Sequence, residues 1–216
     1  MAKHVVRKAN AVPVHKNRPG EGYTIDATAT SFVAPNGHNG ITFTTDLSKA
    51  KVPDRRYAAD VCALTRSRGF VKIMFGQERV DEEGWRTLLV ITMSDTSVER
   101  FLASTQMATT PTFYELAANM NLTPQPLSKA REPSQPNQAA ALVANLGLVA
   151  AANGEACIDF YHASAFAVAS VASQKLSVDP VVRVDLSAGL LLGLLNGLRD
   201  FHIPAQVTPD FMRSAK

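Results

Sequence analysis

The side chains able to act as acids, bases, nucleophiles or ligands are few in this chain. Histidines stand at positions 4, 15, 38, 162 and 202, and no two of them share helix spacing with a carboxylate. An imidazole needs a positioned partner to serve as a general base or a metal ligand, and the sequence supplies none locally. Cys62 and Cys157 are the two cysteines, too few for a disulfide framework or a structural zinc site. Cys157 falls in Glu155-Ala156-Cys157-Ile158-Asp159, where strand alternation puts the thiol on one face with both carboxylates. A nucleophilic thiol needs a helix start or a neighbouring base, so Cys157 reads as packing or surface and Cys62 as core. Glu78, Asp81, Glu82 and Glu83 cluster ahead of Gly84-Trp85. Their spacing lacks the alternating ligands of a calcium loop and reads as a solvated loop. There is no glycine-rich phosphate loop, nucleophile elbow or dinucleotide fingerprint. The expectation is a protein with no catalytic residues, no metal and no cofactor, hence not an enzyme.

Length and charge set further bounds. The 216 residues suit one large domain or two of about 100 residues each. A 46% hydrophobic composition is that of a folded chain over most of its length. No apolar run reaches the ~18 residues of a membrane-spanning helix, and the basic start Met1-Ala2-Lys3-His4-Val5-Val6-Arg7-Lys8 lacks the apolar stretch of a secretory signal. A reducing cytoplasmic setting is expected, or a virion if the source is viral. Residues 1–72 hold twelve Lys or Arg against five Asp or Glu, and residues 73–216 hold ten against fourteen. The basic excess is strongest at Lys3, Arg7, Lys8, Lys16 and Arg18, which all precede the first acid, Glu21. Residues 1–22 show neither helical nor strand period and read as an extended basic arm. Such an arm either solubilises a terminus or binds a polyanion such as nucleic acid by counterion release. No aromatic residue interleaves the charges to stack on bases.

The elements that would carry any function repeat. Residues 59–75 and 144–160 share one pattern at an offset of 85, which superposes Ala59 on Ala144, Gly69 on Gly154, Ile73 on Ile158 and Phe75 on Phe160. Each segment is an apolar run, a glycine turn and an alternating run, which is a hairpin signal. Asn153-Gly154 suits a type I′ turn. Downstream the offset becomes 93: Leu88 to Ser94 resembles Val181 to Ser187. Each run ends in a serine placed to cap a helix, with apolar residues at Val98, Phe101 and Leu102 or at Leu190, Leu191, Leu194, Leu195 and Leu198 on one helical face. The pattern predicts an internal duplication of strand, strand, strand, helix over about 57–122 and 139–204. Four prolines in residues 123–137 predict an extended linker between the copies. Ahead of the first copy, residues 23–33 and 41–44 flank the turn at 35–40 as a further hairpin. Residues 110–120 add a short helix. The predicted fold is α+β: two duplicated antiparallel β-sheet and helix units plus an N-terminal β-hairpin and basic arm. Its divisions are 1–22, 23–122, 123–138 and 139–216.

Each copy resembles a small bacterial domain family that shares the fold of the export chaperone SecB. The residues that carry the likeness are Arg56-Tyr57-Ala58, Phe75-Gly76-Gln77 and Met93-Ser94 in the first copy. In the second they are Ala144-Asn145, Gly154-Glu155, Ile158-Asp159-Phe160 and Leu186-Ser187. Met74 replaces the acidic residue of that pattern in the first copy. The resemblance implies sheets with helices on one face, assembly into oligomers and binding of extended or unfolded polypeptide. It carries over no catalytic residue.

The last helix holds the most specific local feature. Gly189, Gly193 and Gly197 stand four apart, and interior glycines cost roughly 1 kcal/mol each relative to alanine. A glycine stripe compensates by letting another backbone approach closely, or else marks a buried helix whose small residues serve space alone. The partners expected from sequence are the chain's own sheet or first helix, or the same helix of a second subunit. The first-copy positions are Thr96, Arg100 and Ser104, and Arg100 is expensive to bury, so that face is expected in solvent. The functional expectation is a homo-oligomeric, non-enzymatic binding protein, chaperone- or adaptor-like, that captures an extended polypeptide. The alternative is a nucleic-acid-associated or virion assembly protein that uses the basic arm.

Overall fold

The computed structural model describes residues 23–33, 39–81, 83–107, 113–130, 139–164 and 175–202. Lys3, Arg7, Lys8, Lys16 and Arg18 of the arm lie outside the described residues, as do His4, His15, His38 and Glu82. In chain order the elements are β1 (Tyr23–Val33), β2 (Asn39–Thr45), β3 (Arg56–Ala58), β4 (Val61–Ser67), β5 (Phe70–Glu78), β6 (Trp85–Ser94), α1 (Asp95–Met107) and α2 (Phe113–Asn119). They continue with β7 (Ala140–Val143), β8 (Leu146–Ala152), β9 (Glu155–His162), β10 (Lys175–Ser187) and α3 (Ala188–His202). The class is α+β. One sheet runs β4-β5-β6-β7, and the other runs β2-β1-β10-β9-β8 with β3 also on β10.

The residue spacing reappears as register. Val61 faces Gly76 as Leu146 faces Tyr161, and Phe70 faces Ser94 as Glu155 faces Ser187. The ladders slip at Phe75/Gly76 and, 85 positions on, beside Phe160 and Tyr161. Arg68 and Gly69 (φ 49° and 81°) match Asn153 and Gly154 (φ 55° and 85°), the paired positive values of a type I′ hairpin turn. Ser94 and Ser187 each accept from the backbone three residues on, at 3.2 and 3.0 Å, and so cap α1 and α3. Asp60 accepts the Glu78 amide at 2.8 Å, just as Asn145 accepts that of Ala163 at 2.8 Å.

Arg68 is the less suited of the two turn residues, because the short polar side chain of asparagine can hydrogen-bond locally in left-handed backbone and the long stem of arginine cannot. Arg68→Asn, which copies Asn153, should raise the unfolding free energy by about 1 kcal/mol in urea denaturation.

The sheets are not purely antiparallel. β3 lies parallel to β10 (Arg56 beside Arg183), and β7 lies parallel to β6 (Ala141 beside Val90). Each unit therefore lends a short strand to the other unit's sheet, at matching positions. Three and four residues are too few to show a period, and their partners are remote in sequence. The hairpin β1–β2 also lies elsewhere than its place in the sequence suggests. It precedes the first unit, but β1 pairs with β10 (Ile25 beside Leu176), so it widens the second sheet. Ile25, Ala27 and Leu47 close a small second core over Leu146, Tyr161, Leu176 and Val178.

The main core draws on both sides of the proline-rich segment. Ile73, Phe75, Leu89 and Ile91 join Ile158, Phe160, Val182 and Val184, all fully buried. The counterparts Phe75 and Phe160 meet edge to face at 6.0 Å between ring centres, where the two units touch. α1 packs on β8 of the other unit, and α3 packs on β4.

Candidate functional site

α3 is leucine-rich all round because it is covered all round: Leu190, Leu191, Leu192, Leu194, Leu195 and Leu198 are buried. The proline-rich segment covers its glycine face. A Cβ on Gly189 would stand 2.9 Å from the Thr123 carbonyl oxygen. One on Gly193 would overlap the Gln125 carbonyl, and one on Gly197 would meet the Leu127 side chain. Residues 123–127 thus lie along α3 from its N-terminus toward its C-terminus. Proline favours this extended path and removes amide donors. Two of the remaining amides anchor it: Gln125 N–H donates to the Gly189 carbonyl at 2.9 Å, and Ser128 N–H to the Cys62 carbonyl on the free edge of β4 at 2.9 Å. The Ser187 hydroxyl donates to Gln125 Oε1 at 3.1 Å. The glycine stripe does admit a backbone. That backbone belongs to residues 123–127, rather than to the sheet, the first helix or a second subunit.

The same geometry recurs across the molecule, and among the described residues no strap covers it. α1 lies on β8 as α3 lies on β4. Thr96 and Arg100, the counterparts of Gly189 and Gly193, are exposed, and Ser104 is half-buried. β8 is the last strand of its sheet, and no described strand pairs with its outer edge. Its sequence, Leu-Gly-Leu-Val-Ala-Ala-Ala, carries no charge. Gly147 packs against the Phe101 ring of α1, where a Cβ would come within 2.7 Å of Cδ2. By register the Gly147 carbonyl corresponds to that of Cys62, and ladder alternation turns Val149 and Ala151 outward as well. An uncharged open edge of this kind is a template for another strand. The seven-residue uncharged run was visible in sequence, but nothing there marked it as an edge.

The outer face of the second sheet holds a charge network. Arg183 grips Asp159 with two bonds of 2.6 Å, and Asp159 is 3% exposed. Arg56 makes a second forked pair with Asp185 at 3.0–3.1 Å. The Asp159 hydrogen bonds hold the Arg183 guanidinium even more firmly protonated than usual. The corresponding residues of the first unit, Met74 and Val90, are apolar. Cys157 lies beside this network, and burial pushes its thiol up, away from the nucleophilic thiolate. Burial raises the fully buried Cys62 thiol much further. The acidic loop is tied by an Arg79–Asp81 ion pair at 3.1 Å and lines a shallow open depression with Glu78, Trp85 and Ser128. Among the described residues no three His, Cys, Asp or Glu side chains are grouped to hold a metal ion. His162 is half-buried at the end of β9.

Burial, with Asp159 nearby, pushes the Tyr161 phenol up to about 12. Burial also raises Tyr114 and Cys62. These groups keep their protons in the folded state after the unfolded chain has lost them, so stability is full below about pH 9 and falls as pH rises toward 12. Denaturant midpoints measured from pH 8 to 12 should fall steadily. Tyr161→Phe should fall less steeply between pH 10 and 12.

Among the described residues no helix is long and apolar enough to cross a membrane. Comparison with family models, with curated proteins and with solved structures finds no match.

Proposed function

We propose that this chain is a non-catalytic, chaperone- or adaptor-like binding protein that captures an extended polypeptide along the outer edge of β8, beside α1. The observation that carries the reading is the strap at residues 123–128. The fold already holds one extended segment across a helix and onto a free strand edge, through backbone bonds from Gln125 and Ser128. The matching groove presents an uncharged edge with outward backbone groups at Gly147, Val149 and Ala151. Main-chain pairing at an open edge binds chain of varied sequence, since the backbone supplies the bonds. The reading accords with the SecB-like resemblance. It includes an origin of the two units by duplication and assembly into a homo-oligomer, which light scattering on the purified protein measures.

The test is binding of a permanently unfolded polypeptide, reduced and carboxymethylated lactalbumin, followed by fluorescence anisotropy. Ala151→Pro removes an outward amide from the edge while leaving the β8–β9 ladder its bonds. It should weaken binding by about tenfold, the worth of roughly one backbone bond. Binding of equal strength to the variant would reject the β8 edge. Measurement at 50 mM and 500 mM salt separates the nucleic-acid alternative, since polyanion binding through residues 1–19 would collapse with salt and with their deletion.

A further inference from the structure

The strap over α3 shows what each position of a covered helix touches. A Cβ on Gly193 would overlap the Gln125 carbonyl, the Gln125 amide is bonded to the Gly189 carbonyl, and Gln125 Oε1 accepts from Ser187. Position 193 is therefore where a docked chain presses an oxygen acceptor against the helix. The helices correspond at an offset of 93, so Ser94, Thr96, Arg100 and Ser104 stand on α1 where Ser187, Gly189, Gly193 and Gly197 stand on α3. The strands correspond at 85, so Gly147 and Val149 stand on β8 where Cys62 and Leu64 stand on β4. Arg100 thus holds the acceptor position on α1. It is exposed, and no ion pair between described residues uses it. Of the acids on the same helix, Asp95 is held by Arg66 at 2.7 Å, and Glu99 takes the place of Leu192, off the stripe.

We propose that the groove between β8 and α1 selects extended chain with a carboxylate, Asp or Glu, at the residue that crosses Arg100, so that Arg100 sets the specificity of the site. The inference rests on the reading of that groove as a site for extended chain, and it names the class of chain taken. On α3 the glycines let the backbone itself lie on the helix. Thr96, Arg100 and Ser104 carry side chains, so a chain over α1 stands farther off and side chains span the gap. A guanidinium offers donors alone, in a planar fork that a carboxylate matches with two bonds. A lysine or arginine on the incoming chain would instead bring like charge against it. β8 carries no charge from Leu146 to Ala152, so the edge supplies backbone pairing and leaves the sign of the selection to the helix. The outward groups of Gly147, Val149 and Ala151 fix the path of the chain, and Arg100 chooses among chains. The strap over α3 fits the contrast: its neutral Gln125 lies over a neutral glycine, and the charged stripe calls for an anion.

The test is fluorescence anisotropy of the full chain with labelled short peptides of alternating threonine and serine that differ only at one central residue, Glu, Gln or Lys. At 50 mM salt the wild type should bind the Glu peptide about fivefold more tightly than the Gln peptide, the worth of a solvent-facing bidentate ion pair, and the Lys peptide most weakly. The preference should shrink at 500 mM salt. Arg100→Gln should erase it, and Arg100→Glu should reverse it in favour of Lys. Both variants should keep the wild-type melting temperature and the wild-type affinity for the Gln peptide. Equal affinity of the wild type for all three peptides would overturn the acidic preference; if the lactalbumin probe were still bound and still weakened by Ala151→Pro, the edge would stand as a capture site without this selectivity. A Glu preference that survives Arg100→Glu, as the basic arm at residues 1–22 would produce, would overturn the role of Arg100. Loss of all binding, lactalbumin included, would overturn capture at β8 and this inference with it.

Discussion

Gly193→Ala should destabilise the protein by about 2 kcal/mol in urea denaturation, and Gly193→Leu by more than about 3 kcal/mol. The sign for alanine is the informative part. In a helix interior, glycine to alanine is worth about 1 kcal/mol of stabilisation from propensity alone. Here the new methyl would overlap the Gln125 carbonyl. Backbone held by hydrogen bonds at Gln125 and Ser128 cannot shift as a flexible side chain can, so overpacking outweighs propensity. Asn196→Ala, half-buried on the same helix, serves as the propensity control. A gain of about 1 kcal/mol on Gly193→Ala would mean that the strap is not seated on α3.

The second large effect concerns the Arg183–Asp159 pair. Asp159→Met alone should cost about 3–5 kcal/mol, because it strands a guanidinium on a largely covered surface. The double variant Asp159→Met/Arg183→Val installs the residues found at the corresponding positions of the first unit, Met74 and Val90. It should recover most of that loss, since a well-packed apolar pair replaces a buried ion pair at little net cost. Chemical denaturation of the wild type, both single variants and the double variant gives the coupling directly. A double variant no more stable than Asp159→Met would show that the two faces differ in packing as well as in charge.

The sequence told much about local elements and little about their partners. The turn at Asn153-Gly154, the serine caps at 94 and 187 and the leucine face of α3 are set by residues within one turn or one strand of each other. Their signals survive in a single sequence. The offsets of 85 and 93 anticipated the strand registers, because a hairpin register follows from turn position. The short strands β3 and β7 were opaque, since Arg56-Tyr57-Ala58 has no period and its partner is Arg183-Val184-Asp185. The placement of β1 on β10 is likewise a long-range pairing that alternation alone leaves open. The glycine stripe announced a close approach, yet the approaching backbone was a segment whose prolines read as linker. Proline spells extended chain, and extended chain either floats or docks. Only the carbonyls of Cys62 and Gly189 show that residues 125–128 dock. The candidate groove itself was invisible, because an edge strand differs from an inner one by what fails to pair with it.

The most direct test is residue-resolved hydrogen exchange of β8 with and without a saturating unfolded polypeptide. Capture along this edge predicts that the outward amides of Gly147, Val149 and Ala151 slow on binding, while those of the opposite edge strand β2 keep their rates. Bound polypeptide with unchanged exchange at all three β8 amides would contradict it.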